Sequence, residues 1–305
     1  KSILLKKSWR SDAVWTQPLL FNSPAKNIAI FWDVRTLLQS QFWPYEELEH
    51  IQVERIRMLL SHASQIPFWK EWFLKYAVDP AHITGLHDFT KIPVITRRNF
   101  LRKSWAEVTN EPDMAKLNKM GKKDHTSGST GFPLYFYIDR SNELRYSALC
   151  ERMFLVAGGG KRFSIISIRA RQKIGFPTAN AHFFHVRSFN SIKHRVHALK
   201  ELVLRFGKGY MFYGFSSHMA ELARISHQEQ LAFHPRAIIV TGGQLLESDR
   251  EYMQKIFSCP VFNTYATREL GQLTFECEYH ILHINSEWAF LESVDERGNA
   301  LPYGK

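Results

Sequence analysis

Cysteine is scarce in this chain: three residues, Cys150, Cys259 and Cys277, among 305. They are too few and too scattered for a disulfide framework, and a reducing, cytoplasmic setting is expected. Long apolar runs are missing as well. Nothing approaches the roughly 18 consecutive apolar residues of a membrane span, and the best local candidate, IAIFW ending at Trp32, is far too short. The opening KSILLKKSWR has neither an apolar stretch of signal-peptide length nor a small-residue cleavage site. It also lacks an initiator Met, which suits an excerpt from a longer chain. Basic residues never run to five in a row; they are dispersed in pairs beginning at Lys6, Arg97, Lys122 and Lys161. A nucleic-acid arm is therefore not supported despite a net charge of +11. Such a charge attracts anions of several kinds or simply marks a solvated basic surface. Internal repeats and low-complexity tracts are not evident.

Core material is plentiful, with 45% apolar residues including 8 Trp and 23 Phe. The length suits one large domain or two medium ones. Residues 1 to about 45 read as irregular, interrupted by Pro18, Pro24 and Pro44. From Glu46 to Ala63, Leu48, Ile51, Ile56, Leu59 and Leu60 recur at helical steps. Pro67 opens a second helix, ended by Asp79–Pro80. KIPVITRRNF is a short extended piece leading into another helix start. LYFYI is a strand, 141–156 a helix, and the run of glycines from Gly158 breaks it before the strand FSIISIRA. After a polar-aromatic stretch come a helix over about 192–206, the strand GYMFYGF, a helix over 217–230 and the strand RAIIV. TGGQLL turns into the helix SDREYMQKIF, where Ser248 and Glu251 have capping-box spacing. CPVFNTY is a further strand, and the segment ending in ERGNALP reads as a hairpin. Alternation of strand and helix from 210 to 265 requires parallel pairing with crossover helices. The fold class is α/β, multi-layer and mostly parallel, with a helical N-terminal segment over 1–120 packing on a nucleotide-binding core over 121–305.

The small residues Thr126 to Gly131 stand out beside bulky neighbours. Glycines let backbone N–H groups turn inward, such concavities bind anions, and Thr126, Ser127, Ser129 and Thr130 add hydroxyl donors. Lys122 and Lys123 add positive potential. A Walker-type loop is excluded, because no Gly-Lys-Ser/Thr follows at the required spacing. A plain Ser/Gly surface turn is the alternative.

TSGSTGFP resembles the phosphate-binding signature of the adenylate-forming superfamily through Thr126, Ser127, Gly128, Ser129, Thr130, Gly131 and Pro133, with Leu134 where the family has Lys. TGGQ resembles its adenosine-contacting loop through Gly242 and Gly243, with Gln244 replacing Glu. NTYATREL resembles a third motif. There the resemblance implies that Tyr265 lies against adenine, Ala266 and Thr267 lie near the nucleotide, and Glu269 approaches Mg²⁺. Arg268 occupies a slot that is often Thr or Ser, and it could face a phosphate itself. IPFWKEWFLKYAVDPAHITGLHDFTKIPVITRRNF and ECEYHILHINSEWAFLESVDERGNALPYGK resemble the phenylacetate–coenzyme A ligase-like branch, which includes capsular-polysaccharide biosynthesis proteins.

The resemblance implies the large N-terminal domain of an adenylate-forming enzyme. Its ATP- and Mg²⁺-dependent reaction activates a carboxylic acid as an acyl-adenylate, with coenzyme A as the usual acceptor. Glu269, Thr130 and Arg268 would serve the chemistry. The acid pocket would lie near Tyr213, Gly214 and Phe215, although Tyr213 and Phe212 also suit a strand core. His125 could reach the acid or cap the turn. The family continues past LPYGK with a further subdomain and a lid carrying a catalytic Lys, so these 305 residues alone are expected to bind ATP weakly and turn over poorly. Alternatives are an adenylyltransferase-like protein of surface-polysaccharide biosynthesis and a non-catalytic nucleotide-binding remnant. Cys277, His280 and His283 are spaced like part of a zinc site. Branch members complete that site with downstream cysteines, which do not follow here. A homodimer is left open.

Overall fold

The computed structural model describes residues 14–16, 33–111, 113–126, 133–159, 163–169, 181–187, 192, 196–207, 209–296, 299 and 301. Two compact units are discontinuous in sequence: 1–37 with 144–267 and 272–283, and 38–143 with 268–271 and 284–305. Neither unit's limits coincide with a linear boundary at residue 120.

The first unit is built on a six-stranded sheet in the order β1-β5-β4-β6-β7-β8. Its strands are β1 (Val14–Thr16), β4 (Phe163–Arg169), β5 (Ala181–Arg187), β6 (Tyr210–Phe215), β7 (Ile238–Thr241) and β8 (Val261–Asn263). All pairs are parallel except the edge pair β1 and β5. Parallel sheets are covered on both faces, so their strands carry apolar residues at every position. Alternation then sorts them. Ile166, Ile168, Phe212, Ile238, Val240 and Val261 join a core with residues of the helices α8 (Val196–Phe206), α9 (Ser216–Gln228) and α10 (Glu247–Phe257). Phe163, Ile165, Met211, Tyr213, Ile239 and Phe262 join a second core with Cys150, Met153 and Phe154 of α7 (Arg140–Val156).

In the second unit, α2 (Tyr45–Ala63) and α3 (Pro67–Lys75) bury Ile56, Leu60, Phe68, Trp72 and Phe73. Pro67 takes the first position of α3, where its missing N–H costs nothing. Tight turns over Pro80–His82 and Leu86–Lys91 and the short helices α4 (Arg97–Phe100), α5 (Trp105–Val108) and α6 (Met114–Met120) follow. The hairpin β2 (Gly121–His125) and β3 (Tyr135–Asp139) comes next, in antiparallel register His125 to Tyr135.

Three expectations change. The N-terminal 45 residues are not wholly irregular: a helix, α1, spans 33–40, and β1 adds an edge strand. The polar-aromatic stretch contains β5, which lies inside the sheet. Helix α10 begins at Glu247 behind Leu246, so Ser248 lies within its first turn and does not cap it.

Candidate nucleotide site

A doubly wound sheet binds ligands beyond the carboxyl ends of its strands, where the order reverses. Here the chain passes from β4 outward to β5 and then returns to the opposite side as β6. The switch point therefore lies at the ends of β4 and β6. Gly214 sits there, and an added Cβ would lie 2.5 Å from the Ile168 carbonyl oxygen and 2.7 Å from the Met219 methyl. Phe215 pairs with Thr241 at the end of β7, which brings TGGQ alongside YGF. Gly242 has φ of +69°, and a Cβ would meet the Phe215 ring at 2.5 Å. At Gly243 a Cβ would come within 2.8 Å of the Ser216 hydroxyl. Gly242 is thus required by its backbone and by close approach, and both glycines remain exposed with Gln244.

Tyr265 follows β8 with its side chain exposed and its backbone held. Its N–H donates to Thr274 Oγ1 at 3.0 Å, and its carbonyl accepts from Leu273 N at 3.0 Å and Thr274 N at 3.1 Å. An exposed aromatic ring on a fixed backbone is a pre-organised contact surface. Ala266 and Thr267 form the short strand β9, half-buried. Tyr213, by contrast, is a core residue, 1% exposed, with its ring edge-on to Phe154 at 5.4 Å. Phe215 is half-buried.

Sequence reading passed over His218. It stands in the first turn of α9, buried, with its ring 5.4 Å from Phe215. Burial holds the imidazole below its usual pKa, with Glu221 opposing, so it is neutral near pH 7. The signal was its place three residues after Phe215 in YGFSSH.

In the second unit, Thr126 and Leu134 close the base of the small-residue loop. Thr126 N donates to Leu134 O and Leu134 N to Thr126 Oγ1, both at 3.0 Å. Ser127, Gly128, Ser129, Thr130 and Gly131 lie outside the described residues. The hairpin has two unlike faces, since side chains alternate along a strand. Lys123 and His125 share one face. The Lys123 ammonium sits 4.7 Å over the Tyr135 ring and 5.6 Å from that of Trp105. The His125 ring packs 5.6 Å from Tyr135, and its Nδ1 lies 2.8 Å from Thr126 O. Lys122 and Asp124 share the other face. There the Arg268 guanidinium reaches the Asp124 carboxylate at 2.5 Å across 144 positions of sequence. A second tether to the same segment is the Trp288 indole, which donates to Leu270 O at 2.6 Å. Exposed Glu269 lies between these two anchored residues. Asp124 was not foreseen as a site residue; its signal was the charged DH pair immediately before the loop.

Glu269 is an exposed carboxylate, the donor type a hard cation such as Mg²⁺ takes. The zinc reading does not fit. Among the described residues no group of three or more His, Cys, Asp or Glu is gathered for a metal. His283 stacks on Phe275. His280 Nδ1 lies 3.0 Å from Arg250 Nη1 and 3.4 Å from Glu276 Oε2, so this side of its ring faces the Arg250–Glu276 ion pair.

An open, mostly parallel sheet covered on both faces is a fold this chain shares with solved acyl-CoA ligases. No protein-family model matches the chain. Protein CapK of Staphylococcus aureus is 26% identical over 270 residues, 83% of this chain and 57% of CapK. An open conformation of 2-hydroxyisobutyryl-CoA ligase, solved with 2-HIB-AMP and CoA, has a TM-score of 0.70 at 17% identity, over 86% of this chain and 60% of the ligase. The same ligase in its thioesterification state scores 0.70 at 18% identity, over 86% and 59%. The chain therefore spans about three-fifths of the length of these relatives.

Proposed function

We propose that the protein activates a carboxylic acid with ATP, as part of an adenylate-forming acid–thiol ligase. The Asp124–Arg268 contact is the observation that carries this reading. It brings the residue before Glu269 to the strand end two residues ahead of the Thr126–Gly131 loop, so the phosphate-type loop and the carboxylate belong to one part of the molecule. In this reading the loop's backbone N–H groups and hydroxyls hold the β- and γ-phosphates, and Arg268 exchanges its carboxylate partner for a phosphate oxygen. Lys122, exposed on the face shared with Asp124, supplies the positive charge that Leu134 does not. Gly242, Gly243 and Gln244 border the adenosine, and the exposed Tyr265 ring offers adenine a flat face. Mg²⁺ at Glu269 would neutralise phosphate charge.

The chemistry needs two anions brought together. A carboxylate oxygen attacks the α-phosphorus while the bond to the β-phosphate oxygen breaks and pyrophosphate leaves. Holding the oxygens in line and neutralising them is most of the task. A thiol, that of coenzyme A, then takes the acyl group as AMP departs. Phe215, half-buried at the end of β6, is the residue of the first unit favoured for the acid. Tyr213 contributes from beneath, through the core.

The test is calorimetry of the full-length protein with Mg·ATP, together with exchange of pyrophosphate into ATP over aryl, fatty, hydroxy and amino acids. Binding lost in Arg268→Ala and Glu269→Ala supports the reading. Failure of Mg·ATP to bind and of every acid to support exchange overturns it, and binding without exchange leaves a nucleotide-binding remnant. The resemblance of the 276–305 block to capsular-polysaccharide proteins favours a second reading with a different acceptor, which activity independent of coenzyme A would reveal.

A further inference from the structure

Among the described residues the parallel sheet ends at β8, which has β7 on one side and no strand on the other. In such a ladder alternate residues bond to alternate neighbours. Thr264 N turns inward to Val240 O at 3.0 Å, so Val261 O and Asn263 N turn outward, toward the place a further strand would take. Two side chains occupy it. Arg250 Nη1 donates to Val261 O at 2.6 Å, and Asn263 N donates to Glu276 Oε2 at 2.6 Å. Between themselves Arg250 and Glu276 form a fork of two bonds, each 2.8 Å. Both side chains are more than nine-tenths buried. Burial alone would raise the Glu276 carboxyl and lower the guanidinium, but their mutual bonds, with Asn263 N–H, override it and keep both ionised. Arg250 Nε donates to Glu247 Oε2 at 3.0 Å, and His280 Nδ1 lies 3.0 Å from Nη1 and 3.4 Å from Glu276 Oε2.

We propose that this pair positions the two nucleotide-facing segments of the first unit, so that Arg250 and Glu276 are positioning residues of the adenosine contacts. The inference rests on the function proposed above. Arg250 belongs to the first turn of α10, which starts three residues after Gln244. Glu276 ends β11 (Thr274–Glu276), whose Thr274 holds the Tyr265 backbone. The ion pair therefore ties the helix that follows Gly242–Gln244 to the edge strand that leads into Tyr265. A pair of matched charges sets both distance and angle, because an Arg–carboxylate fork is planar and two-pronged. Hydrophobic contact would allow α10 to slide or rotate. Removing one charge leaves the other buried without its partner.

Glu276→Gln and Arg250→Lys, the second keeping the charge and losing the fork, test this in the full 305-residue chain. Amide hydrogen exchange without ligand should speed up about tenfold or more at 241–246 and 263–266 and stay unchanged in α8, a tenfold change corresponding to about 1.4 kcal/mol. The dissociation constant for Mg·ATP should rise by a similar factor. Wild-type exchange at both segments in folded variants overturns the proposal. So does loss of protection spread evenly through the first unit, α8 included, since that marks a stabilising pair and nothing more. Local loosening in a chain whose wild type fails to bind Mg·ATP upholds the positioning and removes the nucleotide reading.

Discussion

Gly242 shows how narrowly one residue is specified here. Its positive φ and its approach to the Phe215 ring exclude any side chain, so Gly242→Ala should lower stability by about 1–3 kcal/mol, read from urea unfolding. The cysteines differ by environment in the same way. Burial pushes the Cys259 thiol up to about 12, while Cys277 is half-buried. At pH 8 a thiol reagent followed by peptide mass spectrometry should label Cys277 within minutes and Cys259 only after denaturant is added. Part of this was legible beforehand: the glycines of TGGQ read as a strand–helix turn, which is where Gly242 and Gly243 stand after β7. The Arg268–Asp124 pair was not, because 144 residues separate its members and each alone reads as a surface charge.

Among the elements, the short helical turns of the second unit depend on side-chain caps. The Glu107 carboxylate takes a bond from Lys103 at 2.8 Å and two from Ser104, which hold its pKa down to about 2. Lys91, Thr84 and Gly85 do the same for Asp88, more strongly. Groups depressed on folding contribute stability that is complete above their unfolded pKa, near 4, and is lost as pH falls through the folded value. The melting temperature should therefore fall progressively from about pH 5 toward pH 2, and Glu107→Gln should flatten that slope. Helices α2, α3, α7, α9 and α10 and strands β3, β4, β6, β7 and β8 were legible, since their apolar residues recur with the period of their element. Strand β2, GKKDH, was not. It carries no apolar alternation and owes its extension to pairing with β3. A propensity-poor segment becomes a strand when a neighbour supplies its hydrogen bonds.

For the whole molecule the matter of interest is linkage between ligand and folding. Among the described residues no helix is long and apolar enough to cross a membrane, and each unit has its own apolar core. A ligand bound only by the folded form stabilises it by mass action. On the proposed function, Mg·ATP at about ten times its dissociation constant should add about 1.4 kcal/mol to the unfolding free energy. The corresponding shift in melting temperature should shrink as salt is raised and vanish in Arg268→Ala.

By itself the sequence determined the α/β class, the parallel pairing from 210 to 265 and the helix over 46–63. All of these follow from periodicity and from side-chain properties acting over a few residues. Only the tertiary structure decided that Asp124 receives Arg268, that Tyr213 is core, and that Arg250 and Glu276 stand in for a missing strand. Those outcomes depend on which distant segments become neighbours, and that is set by burying both faces of one sheet at once, a condition no local stretch of sequence contains.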